Sequence, residues 1–576
     1  MSNAHIAAAF EELADLYELD GAVSYRVIAY RTAAKAVREA SVSVMQLARD
    51  GRATDLPGIG KTLEEKLRAL DETGDIPAAQ RLRAQFPPGV LSMMHLPGFG
   101  PKRARRLYDE LGIDSLEALR AAAERHELRG LRGFGPRAEE KLLEVLAEGA
   151  DGRPAPRVLL SRALPVAEQI AGALRAHPGA DRVEVAGSLR RRADAVKDLD
   201  VIATAADPAG LVQTLTDLPL VESVQTAGDV GARVLTHSGM KVDLKVVEPD
   251  QFGNVLQHFT GSAAHNVALR EMAVRRGLHV SEYGILDDAT GETTRCATEE
   301  EVYRRLGLPW IPPELREGRG EIEAAAAGRL PELIALEDIR GDLHSHTTLS
   351  DGRQDLEAMV EGARARGYEY LAITDHSATH GFGNHVDADT LRAQIERVRE
   401  LDARLDGFTV LIGTETNILP DGSVDYPDEL LAELDWVIGS VHTSFGMREP
   451  EMTDRMVAAI EHPWVDAIGH PTGRKIETRD PYALDVERVI EAAARTGTML
   501  EINAAPDRRD LNEIHARAAA EAGVLILVNS DAHSVRNLEL MTYGIATARR
   551  AWLTAAQVAN TRSWADLAPL RKRARA

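Results

Sequence analysis

GDLHSHTTLSDG, residues 341–352, sets His344, His346 and Asp351 into one short segment, and the segments after it repeat the theme. LAIT runs into Asp375 and His376, VLIGT into Glu415, WVIGSV into His442, AIG into His470, and LILVNS into Asp531 and then His533. Each short apolar run reads as a buried strand, and the helix-like stretches between them call for parallel strands in an α/β barrel. Side chains that follow barrel strands gather at one mouth, where such folds do their chemistry. His344, His346, Asp351, His376, Glu415, His442, His470, Asp531 and His533 are therefore candidate ligands of one metal cluster. Imidazole and carboxylate donors without thiolate suit Zn²⁺, Mn²⁺ or iron, and nine of them exceed the needs of one ion. Two to three ions are expected, arranged to generate hydroxide and clamp a phosphate.

HSH, Asp351, TDH, GTE, SVH, GHP and SDAH resemble the motifs of the PHP (polymerase and histidinol phosphatase) family. The resemblance implies a distorted seven-stranded (β/α)7 barrel over residues 340–570, with a multinuclear site and phosphoesterase activity.

The chain has 576 residues, a net charge of −22 and one cysteine, Cys296. Several domains are expected at this length. One cysteine excludes a disulfide framework and a cysteine-rich zinc module, which fits a reducing cytoplasm. No apolar run approaches a membrane span and no signal-like N-terminus is visible, so a soluble protein without membrane contact is expected. The acidic balance argues against nucleic acid unless basic residues cluster locally. They do so at Lys102, Arg103, Arg105 and Arg106, and again at Arg190, Arg191 and Arg192.

Residues 1 to about 150 read as helix punctuated by glycine and proline. LPGIGKTLEEKL (56–67), LPGFGPKRARRL (96–107) and LRGFGPRAEEKL (131–142) repeat one theme. In each a Gly-x-Gly turn leads into a helix with a basic residue nearby: Gly58, Gly60 and Lys61; Gly98, Gly100 and Lys102; Gly133, Gly135 and Arg137. Glycines let a backbone approach closely, and free N–H groups at a helix start attract phosphate without reading sequence. The three copies resemble helix–hairpin–helix DNA-binding motifs. The first, with AYRTAA at 29–34, resembles the lyase domain of the DNA polymerase beta family over residues 1–85. In that family a lysine forms a Schiff base with a 5′-deoxyribose phosphate, and Lys66 is the matching position. Arg26 and Thr62 stand where the family often has lysines.

DGRPAPR at 151–157 marks a boundary. VEVAGSLRRRADAVKDLDVIA (183–203) then reads as strand, Gly-Ser turn, basic cluster and strand. Alternation puts Asp198 and Asp200 on one face, and Asp243 lies in a second alternating strand, MKVDLKVV (240–247). Carboxylates on adjacent strands are what two divalent ions need to bridge a triphosphate and an attacking hydroxyl. These residues resemble the nucleotidyltransferase palm of family X DNA polymerases, with a mixed sheet. The resemblance gives Mg²⁺ or Mn²⁺ to the aspartates and triphosphate contacts to Gly187, Ser188 and Arg191.

HFTGSAAHNVALREMAVRRG (258–277), EYGI (282–285) and GLPWIPPELREG (307–318) resemble the family's nucleotide-selection segment. Asn266 and Arg270 match the family's positions contacting the base pair and template side, and Gly261 belongs to its nucleotide-binding turn. His258 replaces a tyrosine of the family, so relaxed discrimination against ribonucleotides is expected.

The expected architecture is a multidomain α+β and α/β chain. It runs through a helical lyase-like domain (1–85), a helical region with two hairpins (86–157), a palm (158–250), a thumb-like subdomain (251–318), a linker (319–339) and the barrel (340–570). The resemblance implies a cytoplasmic, nucleoid-associated, monomeric repair polymerase acting on gapped or nicked DNA with dNTPs. It also implies a 3′-5′ exonuclease in the barrel using Mn²⁺ or Zn²⁺, with 3′-phosphatase or abasic-site endonuclease activity as further options. The alternative is a DNA-end-binding module fused to a histidinol-phosphatase-like enzyme or to an inactive metal scaffold.

Overall fold

The computed structural model describes residues 1–130 other than 41, 57, 95 and 97–99, then 139, 142, 143 and 146, and then 157–572 other than 382. The chain divides into two compact units. Unit 1 holds residues 1–158, 162–185 and 196–249, and unit 2 holds 159–161, 186–195 and 250–576. Residues 186–195, inside the expected palm, thus group with the thumb and barrel.

Unit 1 begins with helices whose apolar residues recur at helical spacing. In Asn3–Leu19, Ile6, Phe10 and Leu13 are buried on one face, and the Ser2 side chain caps the start by accepting from His5 N. Lys61–Thr73 buries Leu63, Leu67 and Leu70 and ends at Gly74 in the left-handed conformation. The same unit contains a mixed five-stranded sheet of β1 (Ala180–Val185), β2 (Asp198–Ala205), β3 (Val221–Gly228), β4 (Gly231–Thr236) and β5 (Lys241–Val246). Their spatial order is β1-β2-β5-β4-β3, with β2 and β5 parallel and the other pairs antiparallel.

The barrel of unit 2 is all parallel and follows chain order. Its strands are β6 (Gly341–Asp342), β7 (Tyr370–Ile373), β8 (Thr409–Asn417), β9 (Trp436–Ser440), β10 (Ala467–Ile468), β11 (Met499–Asn503) and β12 (Ile526–Asn529). A parallel bridge between Ser345 and Ala532 links the two ends of the sheet. Alternation sorts the side chains. Leu371, Ile373, Val410, Ile412 and Val437 pack with the outer helices, while Tyr370, Ala372, Leu411, Trp436, Ile438, Met499 and Leu527 form a separate interior cluster. Both faces are buried, which is why the strands read as unbroken apolar runs. Ala559 and Leu567 join the interior cluster from the C-terminal segment. Asx caps start four of the outer helices, at Asp355, Asp387, Asp485 and Asn512.

The expected linker carries a short helix, and residues 571–572 are packed. The 319–339 segment opens with the helix Glu321–Ala326, and the buried Glu321 carboxylate pairs at 2.7 Å with Nδ1 of buried His265. Of the basic C-terminal tail, Lys572 Nζ donates to Ile460 O at 2.6 Å, and the Arg571 guanidinium lies 5.0 Å from the Trp564 ring centre.

The thumb is built on a buried ion pair. Glu299 accepts from Arg316 at 2.6 Å, Arg190 at 2.7 Å and the Trp310 indole at 3.2 Å. Burial alone would push this carboxyl up, but Arg316 and Arg190 outweigh it and hold it at about 2. The folded value lies below the ordinary 4.5. Its stabilisation is therefore complete above pH 4.5 and lost as the pH falls toward 2. Glu299→Gln should cost about 3 kcal/mol at neutral pH, because it leaves Arg316 buried without its countercharge. In urea unfolding the gap to wild type should shrink between pH 4.5 and 2; a constant gap would contradict the pairing.

Candidate metal and nucleotide sites

Barrel geometry explains why the ligands converge. Leu411 points inward, and Glu415, four residues further along the same strand, keeps that face, while His376, His442 and Asp531 lie two or three residues past the ends of β7, β9 and β12, at the same mouth. His344, His346 and Asp351 come from the loop after β6. That loop needs Gly352, where a Cβ would fall 2.6 Å from His346 O.

Glu415 is the centre of the cluster. Its buried carboxylate lies 2.8 Å from His376 Nδ1, 3.0 Å from His470 Nε2, 3.2 Å from His442 Nε2 and 3.4 Å from His344 Nε2. Burial opposes its charge, yet His376, His442 and His344 hold it well below the usual carboxylate range. On the other side Asp531 lies 3.0 Å from His346 Nε2, and Asp351 lies 3.2 Å from His533 Nε2. Burial works against the His533 charge, but the bond to Asp351 and the charge of Asp531 push it up to about 9.

Three sets of ligand atoms each lie within 4.8 Å of one another: His346, Asp351, His376 and His533; His344, His346 and Asp531; and His376, Glu415 and His442. Together with His470, which joins Glu415, these are all nine expected ligands. Among the described residues, His346 Nδ1 and His470 Nδ1 are buried without a hydrogen-bond partner. Buried polar atoms normally have partners. Divalent cations would satisfy these atoms, so the residues fit metal.

Sequence reasoning missed the groups that orient the ligands. Buried Glu501 takes His344 Nδ1 at 2.8 Å and His470 N at 2.7 Å, which leaves His344 Nε2 facing Glu415 and Asp531. Asn503 donates to Asp531 Oδ2 at 2.9 Å, and Asp375 accepts from Thr347 and Ser350. Glu501 lies within the strand MLEIN directly after Met499 and Leu500, so an acid after an apolar run, the pattern that found Glu415, points to it as well. A cavity of about 530 Å³ opens over the cluster and carries Lys475, Arg479 and Arg508 on its wall. Arg508 Nε lies 4.0 Å from Asp531, and its buried Nη1 has no hydrogen-bond partner among the described residues. Arg479 lies over the Phe445 ring at 4.2 Å.

In unit 1, Asp200 and Asp243 are direct register partners on β2 and β5, and Asp198 shares the Asp200 face two residues earlier. Arg233, opposite Asp243 on β4, donates to both carboxylate oxygens at 3.0–3.1 Å. In unit 2, Gly187 has φ +65° and begins the short helix Gly187–Arg190 that carries Ser188. Arg191 Nη1 donates to Thr260 O at 2.6 Å, next to Gly261. Asn266 donates to His258 O at 2.8 Å, and Arg270 lies 3.2 Å from His258 Nδ1. The thumb residues singled out from sequence thus form one group.

Residues 342–505 match the PHP domain, 255–317 the DNA polymerase beta thumb, 1–76 a helix-hairpin-helix domain and 90–148 a SAM-like helix-hairpin-helix tandem. A Bacillus subtilis (strain 168) protein called DNA polymerase/3′-5′ exonuclease PolX is 38% identical over 575 residues, spanning 100% of both chains. The chain belongs to the bacterial family X DNA polymerases that carry a PHP domain. Two further relatives match in part. A probable phosphatase of Caldanaerobacter subterraneus subsp. tengcongensis is 33% identical over 33% of this chain and 75% of its own. One of Thermoanaerobacter sp. (strain X514) is 30% identical over 38% of this chain and 89% of its own.

For this family the helical region matters next. Gly58 (φ +86°), Gly60 and Lys61 are exposed at the start of Lys61–Thr73; Gly100 likewise caps Pro101–Leu111, where exposed Lys102 lies one residue further into the helix than Lys61 does. Gly98, Gly133, Gly135 and Arg137 lie outside the described residues. Lys66 Nζ lies 6.0 Å from the Tyr30 ring centre. Burial, then Arg81 and Arg26, lower its pKa against the pull of Glu65. Among the described residues no helix is long and apolar enough to cross a membrane.

Glu501→Gln should weaken divalent-ion binding about 10- to 100-fold, because His344 loses the group that fixes its orientation. Competition with a chelating dye measures this; unchanged affinity would show that Glu501 does not orient the cluster.

Proposed function

We propose that the chain is a DNA-directed DNA polymerase that fills short gaps during repair, and a metal-dependent 3′-5′ exonuclease through its barrel. One observation carries this reading. Two separate arrays suited to divalent ions occur on one chain: Asp200 in register with Asp243 on the palm sheet, and the Glu415-centred cluster in the barrel. The named activities of the Bacillus subtilis relative, matched end to end, support the same pairing.

Asp198, Asp200 and Asp243 would hold two ions, Mg²⁺ or Mn²⁺, with Asp243 on the primer side. Divalent ions at both sites polarise phosphate oxygens and lower the pKa of the attacking hydroxyl or water. Gly187, Ser188 and Arg191 hold the triphosphate, offering backbone N–H, hydroxyl and guanidinium donors. Asn266 and Arg270 face the nascent pair and template, with His258 fixed between them. In the barrel the nine ligands hold two or three ions, proposed as Mn²⁺, with Zn²⁺ compatible with the same donors. Lys475 and Arg508 anchor the scissile phosphate beside them, and Arg508 Nη1 is placed for this because it has no hydrogen-bond partner among the described residues. Gly58, Gly60, Lys61, Gly100 and Lys102 grip the DNA backbone without sequence preference. Lys66 serves as the Schiff-base lysine of a 5′-deoxyribose-phosphate lyase, supported by its lowered pKa. The substrate is gapped or nicked DNA, the enzyme works as a monomer, and its place is the cytoplasm with the nucleoid.

A second reading comes from the relatives named as probable phosphatases, which match 33% and 38% of this chain. In that case the barrel would hydrolyse a free phosphate monoester readily and a DNA 3′ end poorly. Labelled gapped DNA separates the readings. Asp243→Ala should abolish extension and spare 3′ resection, and His344→Ala should do the reverse. A folded variant that loses both activities would overturn the two-site assignment. Resection slower than hydrolysis of p-nitrophenyl phosphate by the same protein would favour the phosphatase.

A further inference from the structure

The turn that follows Ser188 is bound by the barrel. Arg192 adopts φ +58°, the left-handed turn that closes the short helix, with Ala193 N donating to Ser188 O at 3.0 Å. Arg509 adds a tertiary tie to this turn. Its guanidinium is buried, and Nη1 and Nη2 both donate to Arg192 O at 3.1 Å. Nη1 also lies 3.0 Å from the Asp194 carboxylate, and Nε donates to Thr547 at 2.8 Å. Arg474 donates to the other Asp194 oxygen at 2.8 Å. Arg550 donates to Arg191 O at 2.9 Å and to Glu317 at 2.6 Å, and the same Glu317 oxygen accepts from Arg191 Nε at 3.1 Å. Two carbonyls and one carboxylate of the turn are thus held by three arginines that are 280 to 359 residues away along the chain. Fork-shaped guanidinium donors in a buried setting fix geometry as well as charge.

We propose that Arg474, Arg509 and Arg550 are positioning residues for nucleotide addition. The barrel holds the turn from Gly187 to Asp194 in the shape that receives the incoming triphosphate, and Arg550 with Glu317 sets the direction of the Arg191 side chain. This rests on the triphosphate role proposed above for Ser188 and Arg191. It gives the barrel a part in polymerisation that does not depend on hydrolysis. Arg508, the residue before Arg509, lines the metal cavity, so adjacent residues of one barrel loop would serve the two reactions.

Steady-state gap filling with the full chain tests the proposal, with dNTP concentration varied and 3′ resection followed in parallel. Asp194→Ala should raise the KM for dNTP about tenfold, the scale of one buried charge-assisted hydrogen bond. Its kcat should stay within about twofold, and resection should be unchanged. Asp194→Glu should recover part of the loss. If Asp194→Ala does not fold, Asp194→Asn takes its place, with an expected rise of about threefold. An unchanged KM in the folded variant, or equal losses of extension and resection, would overturn the proposal. Arg191→Ala is the control for the underlying reading. If it leaves the dNTP KM unchanged, the triphosphate role itself fails; if it raises KM while the Asp194 variant does not, only the barrel's part fails.

Discussion

A carboxylate sealed inside a barrel and ringed by imidazoles is the constraint on which the C-terminal half depends. An unpaired buried carboxylate costs several kcal/mol, and Glu415 is compensated by His344, His376, His442 and His470 arriving from separate strands and loops. No single segment can supply that ring. The parallel sheet supplies it by ending neighbouring strands at one mouth, so that the residues just past each strand face one another. The leftover buried lone pairs then fit cations, so the folding problem and the chemistry share one solution.

The barrel and the ligand series were legible because both obey short-range periodicity. LAIT, VLIGT and WVIGSV announce strands buried on both faces, and the residue after each run falls at the mouth. Asp198, Asp200 and Asp243 were legible for the same reason, and the register of Asp200 against Asp243 follows from two alternating strands lying parallel. Glu501 obeys the rule that found Glu415, yet it acts through His344 and His470 rather than joining the expected ligand set, and a pattern cannot separate those roles.

Contacts between residues far apart in sequence left no such trace. Nothing near Glu321 announces that its carboxylate will be buried against His265, so the Ala-rich 319–339 segment read as a tether. Arg509 sits in a polar stretch, APDRRD, with no sign that it reaches the backbone of Arg192. Arg190, Arg191 and Arg192 read as one local basic cluster, with only Arg191 matched to a triphosphate contact. In the structure the three diverge: Arg190 supports Glu299, Arg191 reaches Thr260 and Glu317, and Arg192 offers its carbonyl to the barrel. Charge alone could not assign these roles, because each depends on which acceptor the fold brings near.

The central claim is that the Glu415 ring exists to hold divalent ions independently of the palm. The most direct measurement is the metal content of the Asp243→Ala protein after dialysis against Mn²⁺ or Zn²⁺ and removal of loosely bound ions. Two or three ions per chain are predicted, falling by at least one when Glu415→Ala is added. Retention of one ion or none, or a content that Glu415→Ala leaves unchanged, would contradict it.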